Sequence, residues 1–162
     1  MENKQIVLKL FVEGLGAEGA IDSFSARKDF QKEVLLGQSL SGIDLGYRFN
    51  WYLRGPYSPA LARDYYEMTE AIELGDTEFE GHALVESARR KLNQIRHLFD
   101  APTGSPLRRS DWVELLASWH YLRSISKCDE ATARETMIRT KPLLAPHIEA
   151  AKRALQPFEH LG

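Results

Sequence analysis

The residues best suited to chemistry lie in one short segment, from Tyr47 to Ser58. The segment alternates in character, and one set of alternate positions carries polar or cationic side chains: Arg48, Asn50, Tyr52 and Arg54. Two arginines on either side of an aromatic ring suit contact with a phosphate backbone, a stacked base or an acidic peptide. Arg48, Tyr52 and Arg54 are therefore candidate binding residues.

A competing interpretation assigns the same side chains to the fold. Arg48 and Arg54 would then pair with acids of the following helix, such as Asp64 or Glu67, and Tyr52 would pack locally. Ion pairs of this kind are common on protein surfaces and do not by themselves indicate a binding site. Both interpretations are open at the level of sequence.

The segment ends in Gly55-Pro56-Tyr57-Ser58-Pro59. A serine followed by a proline predicts a helix start, with Ser58 as the N-cap and Pro59 at the first helical position. We predict that Tyr57, which precedes the cap, joins the contact surface. Ser58 and the Gly55-Pro56 turn are predicted to set the geometry of that surface.

Arg89 and Arg96 form a second candidate surface. They lie two turns apart on a predicted helix, opposite an apolar seam of Val85, Leu92 and Phe99. This face could dock nucleic acid or an acidic protein surface. The alternative is an ordinary solvated helix face.

No enzyme pattern stands out beside these candidates. Ser58 lacks the Gly-x-Ser-x-Gly context of a hydrolase nucleophile, and the single cysteine, Cys128, has only His120 as an imaginable base, without a supporting signature. The five histidines show no metal-binding spacing. Asp111 and Glu114 share a helix turn and are predicted to face solvent. We predict no catalytic residue, no metal and no cofactor.

Helical periodicity predicts the elements that position these residues. Apolar side chains recur at helical spacing over residues 5–13, 26–40, 59–74, 82–99, 110–122, 129–139 and 146–157. The first helix is predicted to stop at Gly14, and the predicted N-caps of later helices are Ser23 or Ser25, Ser110 and Asp129. Trp112 and Trp119 are predicted to be core residues, with a partner-binding stripe as the alternative.

Residues 45–54 alternate with period 2 instead, which predicts a half-buried strand or β-ribbon. The inward side chains would be Leu45, Tyr47, Phe49, Trp51 and Leu53. Gly55-Pro56 is predicted to break this strand.

Length and composition indicate one domain without stabilising disulfides. The chain has 162 residues, of which 43% are hydrophobic and 27% charged. No apolar run is long enough to span a bilayer, and the first residues lack the features of a signal peptide, so we expect a cytoplasmic location.

Charge is distributed unevenly along the chain. Residues 1–81 carry 8 Lys+Arg and 14 Asp+Glu, a net charge of −6, whereas residues 82–162 carry 13 and 9, a net charge of +4. A basic face in the second half could contact nucleic acid or an acidic partner. Solvated helix faces that partly neutralise each other are the alternative, and a pI near 6.2 favours it.

Two motifs together resemble a known family. They are the helix segment Phe30-Gln31-Lys32-Glu33-Val34-Leu35-Leu36, and an aromatic strand that runs into Gly55-Pro56-Tyr57-Ser58. The chain resembles the YwgA-like proteins of bacteria and archaea over roughly residues 5–75, more loosely over 141–161, and more distantly resembles the Panacea antitoxin domain. In that family the position of Glu33 is usually leucine, which is one departure.

The resemblance implies a winged-helix-like first half, residues 1–75, with a short β-ribbon. It does not place residues 82–127, and the helical second half, residues 82–162, is predicted from periodicity. We therefore predict a single mostly α domain in which the second half packs on the first. The resemblance also implies a non-catalytic binding module of a regulatory, antitoxin or genome-defence system. The expected partner is nucleic acid or a protein such as a toxin or defence effector, with homodimer formation left open. A purely structural subunit and an enzyme with an unrecognised site are the alternatives.

Overall fold

The computed structural model describes residues 1–17, 24–52 and 55–159. Within these ranges the chain is mostly helical, as predicted, with one small antiparallel sheet. The helices are α1 Asn3–Leu15, α2 Phe24–Ser41, α3 Pro59–Glu73, α4 Glu86–Leu98, α5 Arg109–His120, α6 Glu130–Thr140 and α7 Ile148–Leu155. The sheet consists of β1 Asn50–Tyr52 and β2 Gly55–Tyr57. Short 3-10 turns precede α4 and flank α7, and a π-helical turn, Tyr121–Ile125, follows α5.

The core is built around α2 and α5, which pack directly on each other. Helices α1 and α4 also pack on α2, and α7 packs on α5. Trp112 and Trp119 are both buried, as predicted for core residues. The indole N–H of Trp112 donates to the carbonyl of Leu98 at 2.9 Å, so its one polar group is satisfied inside the core.

The first helix differs from the prediction at its end and in its inner face. It continues to Leu15, and Gly16 closes it in the left-handed conformation at φ 66°. Ile6 and Phe11 are buried, as their helical spacing predicts, and Leu8 and Val12 are buried with them, whereas Val7 is 43% exposed.

Two of the predicted helix starts are also corrected. Helix α2 begins at Phe24, so Ser25 lies inside it, and Ser23 is outside the described residues. Helix α5 begins after Arg108, and the Ser110 hydroxyl instead donates to Asp29 on α2 at 2.6 Å. The Asp129 cap is confirmed, because its carboxylate accepts the Thr132 amide at 2.7 Å.

The predicted strand is shorter than its alternating pattern. Tyr47 and Phe49 are buried and Arg48, Asn50 and Tyr52 are exposed, as expected, but sheet pairing is confined to Asn50–Tyr52. Gly55-Pro56 does not end the sheet. It begins β2, which pairs with β1 in the register Asn50↔Tyr57, Trp51↔Pro56, Tyr52↔Gly55.

Candidate functional site

Two glutamines of α2 hold both ends of the segment that contains the hairpin. Gln31 is buried and makes two hydrogen bonds to the Ser58 backbone. Its side-chain N–H donates to the Ser58 carbonyl at 2.9 Å, and its side-chain carbonyl accepts the Ser58 N–H, also at 2.9 Å. Gln38, two turns later, donates to the Tyr47 carbonyl at 2.9 Å and accepts the amides of Leu45 and Tyr47. The segment is thus fixed on α2 before and after the hairpin.

The two hydrogen bonds between Gln31 and Ser58 join the two motifs that carry the family resemblance. One motif supplies Gln31 and the other supplies Ser58. The side-chain amide of Gln31 acts as the backbone of a neighbouring strand would, because it offers one donor and one acceptor in the same plane to the Ser58 N–H and carbonyl. The role of Gln38 was not predicted, and its only signal in the sequence is a second glutamine on the same helix face.

The outward face of the hairpin presents two tyrosines in contact with each other. Tyr52 is 47% exposed and Tyr57 is 39% exposed. Their ring centroids lie 5.7 Å apart, and the rings meet edge to face at 82°. Neither hydroxyl has a hydrogen-bond partner among residues 1–17, 24–52 and 55–159.

Arg48 lies on the same outward face but does not make the predicted contact with α3. Its guanidinium approaches the Asp44 carboxylate at 3.3 Å, on the loop just before the hairpin. Asp64 is buried instead, where it accepts the Tyr47 hydroxyl at 2.9 Å and lies 3.3 Å from the Lys4 ammonium. That environment raises the pKa of Tyr47, chiefly through burial. Arg54 lies outside the described residues.

Ser58 lies beneath the surface rather than on it. It is the N-cap of α3, as predicted, and its hydroxyl accepts the Leu61 amide at 3.2 Å. Its backbone is bonded to Gln31, and the residue is buried. Ser58 can therefore position the surface but does not present its side chain to a partner.

Arg89 and Arg96 belong to a different part of the molecule. They lie on α4, which packs on α1 and α2, whereas the hairpin packs on α2 and α5. Arg89 is exposed and approaches Glu86 at 3.9 Å. The Arg96 guanidinium covers Gly16, where a Cβ would stand 2.7 Å from its Nε. Arg96 therefore packs over the end of α1.

A cluster of lysines lies beneath the hairpin, where α2, α5 and the end of α6 meet. The Glu114 carboxylate is shared by Lys141 at 3.2 Å and Lys28 at 3.7 Å. Lys141 also lies 5.8 Å from the centroid of the Trp51 ring, on the inner face of β1. Glu114 does not face solvent as predicted, because these ammonium groups hold it in a partly buried position.

Lys32 is the most buried member of this cluster. It is 2% exposed, and burial lowers the pKa of its ammonium to about 8. The two residues beside Lys32 in the sequence make hydrogen bonds to other parts of the chain. Gln31 donates to Ser58, and Glu33 accepts from Arg109 at 2.7 Å. Burial also raises the pKa of Glu33 above its ordinary value, although Arg109 opposes the shift.

A serine–histidine pair lies at the other end of α2, with His120 buried and Ser39 half-buried. Ser39 Oγ and His120 Nε2 are 2.6 Å apart, and burial lowers the pKa of His120 to about 4, so the imidazole is neutral near pH 7. Ser39 lines one surface cleft of about 280 Å³, and His120 lines another of about 410 Å³. No carboxylate among the described residues orients the ring. The Cys128 thiol lies 3.7 Å from Ser126 Oγ, and the hydrogen-bond partner of His120 is Ser39.

The described residues contain no group of three or more histidine, cysteine, aspartate or glutamate side chains arranged to hold a metal ion. None of the helices in these ranges has the length and apolarity needed to cross a membrane.

Comparison with family models, with curated proteins and with solved structures finds no match to this chain. The resemblance to the YwgA-like family stays a prediction that rests on the residues of the two joined motifs.

Proposed function

We propose that this protein is a non-catalytic binding module that contacts single-stranded nucleic acid through the outward face of its β-hairpin. The observation that carries the proposal is the pair of half-exposed tyrosines, Tyr52 and Tyr57, which touch each other on that face. Exposed apolar side chains that form a contiguous patch mark interaction sites more often than single exposed side chains do.

Stacking on these rings is the expected mode of contact. A base stacked on an aromatic side chain contributes about 1–3 kcal/mol to binding, largely irrespective of sequence. The rings also need little reorganisation on binding, because Gln31 and Gln38 fix the hairpin on α2. A rigid aromatic platform suits unpaired bases better than the buried bases of a duplex.

Arginines near the rings would supply the contact to phosphate. Arg48 is exposed on the outward face, and the Asp44 carboxylate near it is also exposed, so a phosphate can compete for the guanidinium. Arg54 follows two residues after Tyr52 in the sequence. Contributions from Arg89 and Arg96 would require a strand that also reaches α4.

The biological setting is proposed from the resemblance. A winged-helix-like first half would place the hairpin as the wing, and its support is the direct connection of β2 to the capped start of α3. Regulation, antitoxin-like binding or genome defence in bacteria or archaea are the settings that this resemblance favours.

A second candidate function is binding to a protein partner. It is favoured by two exposed apolar side chains five residues apart, Ile138 at the end of α6, 61% exposed, and Leu143 in the following turn, 85% exposed. Such side chains suit an interface more than a nucleic-acid surface.

Fluorescence anisotropy with labelled oligonucleotides separates the two functions. We expect the protein to bind single-stranded DNA or RNA of about 10–15 nucleotides, with weaker binding to the matched duplex. Equal affinity for duplex and single strand would contradict the stacking mode. If nothing binds even at low salt, the nucleic-acid proposal fails, and a protein that co-purifies through Ile138 and Leu143 becomes the leading candidate.

A further inference from the structure

A cleft of about 280 Å³ opens beside Arg48, where the chain leads into the hairpin. It lies between the end of α2, the loop before β1 and the π-helical turn that follows α5. Pockets that hold drug-sized molecules have volumes of about 300–1,000 Å³. This cleft therefore suits a ligand no larger than one planar ring system, such as a nucleobase.

Apolar side chains form part of the wall of the cleft. Leu35 and Phe49 line it and are both buried, whereas Ile125, from the π-helical turn, lines it and is 39% exposed. A planar ring that enters the cleft would cover Ile125 and pack against the two buried side chains. Removal of this apolar area from water would favour binding.

Asp44 supplies a carboxylate to the same cleft, and its side chain is 58% exposed. One of its oxygens accepts the Gly46 N–H at 2.7 Å, and the other lies 3.4 Å from the Arg48 guanidinium. These contacts, chiefly the one with Gly46, lower the pKa of Asp44. The group is therefore ionised near pH 7, where it can only accept hydrogen bonds.

Arg48 joins the cleft to the proposed binding surface. It lines the cleft and precedes Tyr52 by four residues, a distance of at most about 14 Å in an extended chain. Both members of its pair with Asp44 are solvent-exposed, and such pairs contribute little to stability. A phosphate of a bound strand that takes up the guanidinium would leave the Asp44 carboxylate to the neighbouring base.

We propose that this cleft binds one guanine base of the single strand, with the Asp44 carboxylate as the acceptor of two N–H groups. Guanine carries two neighbouring donors on its pairing edge, and a carboxylate accepts such a pair through two parallel hydrogen bonds, as it does from arginine. Adenine and cytosine present one amino group beside an acceptor, and thymine and uracil present one N–H between two acceptors. The inference rests on the proposed function, because a strand on the hairpin delivers the base.

Fluorescence anisotropy of the full chain with thymine strands of about 12 nucleotides tests the cleft. One strand carries a single central guanine, and the matched strand carries a single adenine, which controls for the stronger stacking of a purine. A single guanine also avoids the quadruplexes that runs of guanine form. We expect the guanine strand to bind at least about fivefold more tightly than the adenine strand.

Asp44→Asn should abolish this preference. Its amide oxygen can still accept the Gly46 N–H, but the side chain then has one acceptor oxygen instead of two. Glu73→Gln is the matched control, because it removes one exposed acid of α3 and should keep the preference. Ile125→Ala should reduce the preference as well without a change at Asp44, so the test does not depend on the folding of one variant.

The outcomes separate this site from the proposed function. Equal affinity for the guanine and adenine strands, or an undiminished preference in Asp44→Asn, overturns the guanine site and leaves the proposed function in place. Loss of the preference in Glu73→Gln as well would assign it to net charge and would also overturn the site. If none of the strands binds at low salt, the proposed function fails and the guanine site fails with it.

Discussion

Gln31 and Gln38 lie two turns apart on one face of α2, and both use their side-chain amides on backbone atoms of residues 45–58. These bonds replace the sheet partners that a short two-stranded hairpin lacks. An isolated hairpin is only marginally stable in water. At the scale of single residues, the position of the tyrosine pair therefore depends on two side chains of α2, the buried Gln31 and the half-buried Gln38, which lie outside the hairpin.

Substitution of Gln31 by leucine should destabilise the fold. The Ser58 carbonyl would keep its bond from Ala62, but the buried Ser58 N–H would lose its partner. A lost partner of this kind costs about 1–3 kcal/mol. Urea unfolding of Gln31→Leu should show that decrease, and Gln94→Leu, at an exposed position of α4, should be close to wild type. Equal stability of the two variants would contradict the role of Gln31.

His120 should make stability depend on pH in a defined range. Burial lowers its pKa in the folded state from 6.5 to about 4, so between these values the unfolded chain binds the proton and the folded chain does not. Stability should fall as pH decreases from 6.5 towards 4, by up to about 3 kcal/mol at about 1.4 kcal/mol per pH unit.

The variant His120→Gln isolates this contribution from those of the carboxylates. Its amide can keep a hydrogen bond to Ser39 but does not titrate in this range. Urea unfolding at pH 7 and pH 5 should show a smaller loss of stability in His120→Gln than in the wild type. An equal loss of stability in both proteins would mean that protonation of His120 does not destabilise the folded state.

At the scale of elements, close packing of α1 on α2 depends on Gly37. A Cβ at this position would stand 2.6 Å from Leu15 Cδ1 and 3.0 Å from Phe11 Cε1. Both of those side chains are buried and cannot move aside freely.

Gly37→Ala should therefore destabilise the protein although alanine favours helices. The gain in helix propensity is up to about 1 kcal/mol, and the cost of overpacking is about 1–3 kcal/mol. We expect a net loss of stability and a lower Tm by thermal unfolding. Gly81→Ala is the matched control, since a Cβ there meets nothing within 4 Å. A Tm for Gly37→Ala at or above that of the wild type would show that α1 and α2 can move apart to admit the methyl group without loss of stability.

The hairpin shows which parts of an element can be predicted from sequence. The alternation of Tyr47 and Phe49 with Arg48 and Asn50 predicted their burial and exposure, because that pattern is local. The second strand was missed because glycine and proline are depleted in strands. Its pairing is supported by Gln31, which lies 27 positions before Ser58, and no local pattern reports such a bond.

At the scale of the whole molecule, the uneven charge of the two halves is partly neutralised by contacts between distant parts of the chain. The Met1 amino group pairs with Asp76 at 2.6 Å, and Arg109 pairs with Glu33 at 2.7 Å. The first of these contacts raises the pKa of the amino terminus and lowers that of Asp76. Arg109 of the second half thus offsets an acid of the first half, which agrees with the interpretation that the charged faces partly neutralise each other.

The helical class of the fold could be predicted from periodicity, whereas the lysine cluster could not. The cluster draws on three parts of the chain that lie more than 20 residues apart: Lys28 and Lys32 on α2, Glu114 on α5, and Lys141 just after α6. On the sequence Glu114 looked like a solvated acid, because only the packing of α2 on α5 brings it to the lysines. The exposure of Arg48 and Tyr52 could be predicted, since the alternating pattern that gives it is local.

The most direct test of the hairpin as the binding element is a salt series of fluorescence anisotropy with one single-stranded oligonucleotide. Tyr52→Ala/Tyr57→Ala should bind at least about 30-fold more weakly at every salt concentration, because two stacking contacts of about 1–3 kcal/mol each are lost. The slope of log Kobs against log salt should not change, since no charge is removed.

Arg48→Ala/Arg54→Ala should instead reduce that slope, by about 0.7 for each phosphate no longer neutralised. Tyr66→Ala, an exposed tyrosine of α3, serves as the control and should match the wild type. If the double tyrosine variant binds within twofold of the wild type across the series, the hairpin is not the binding element.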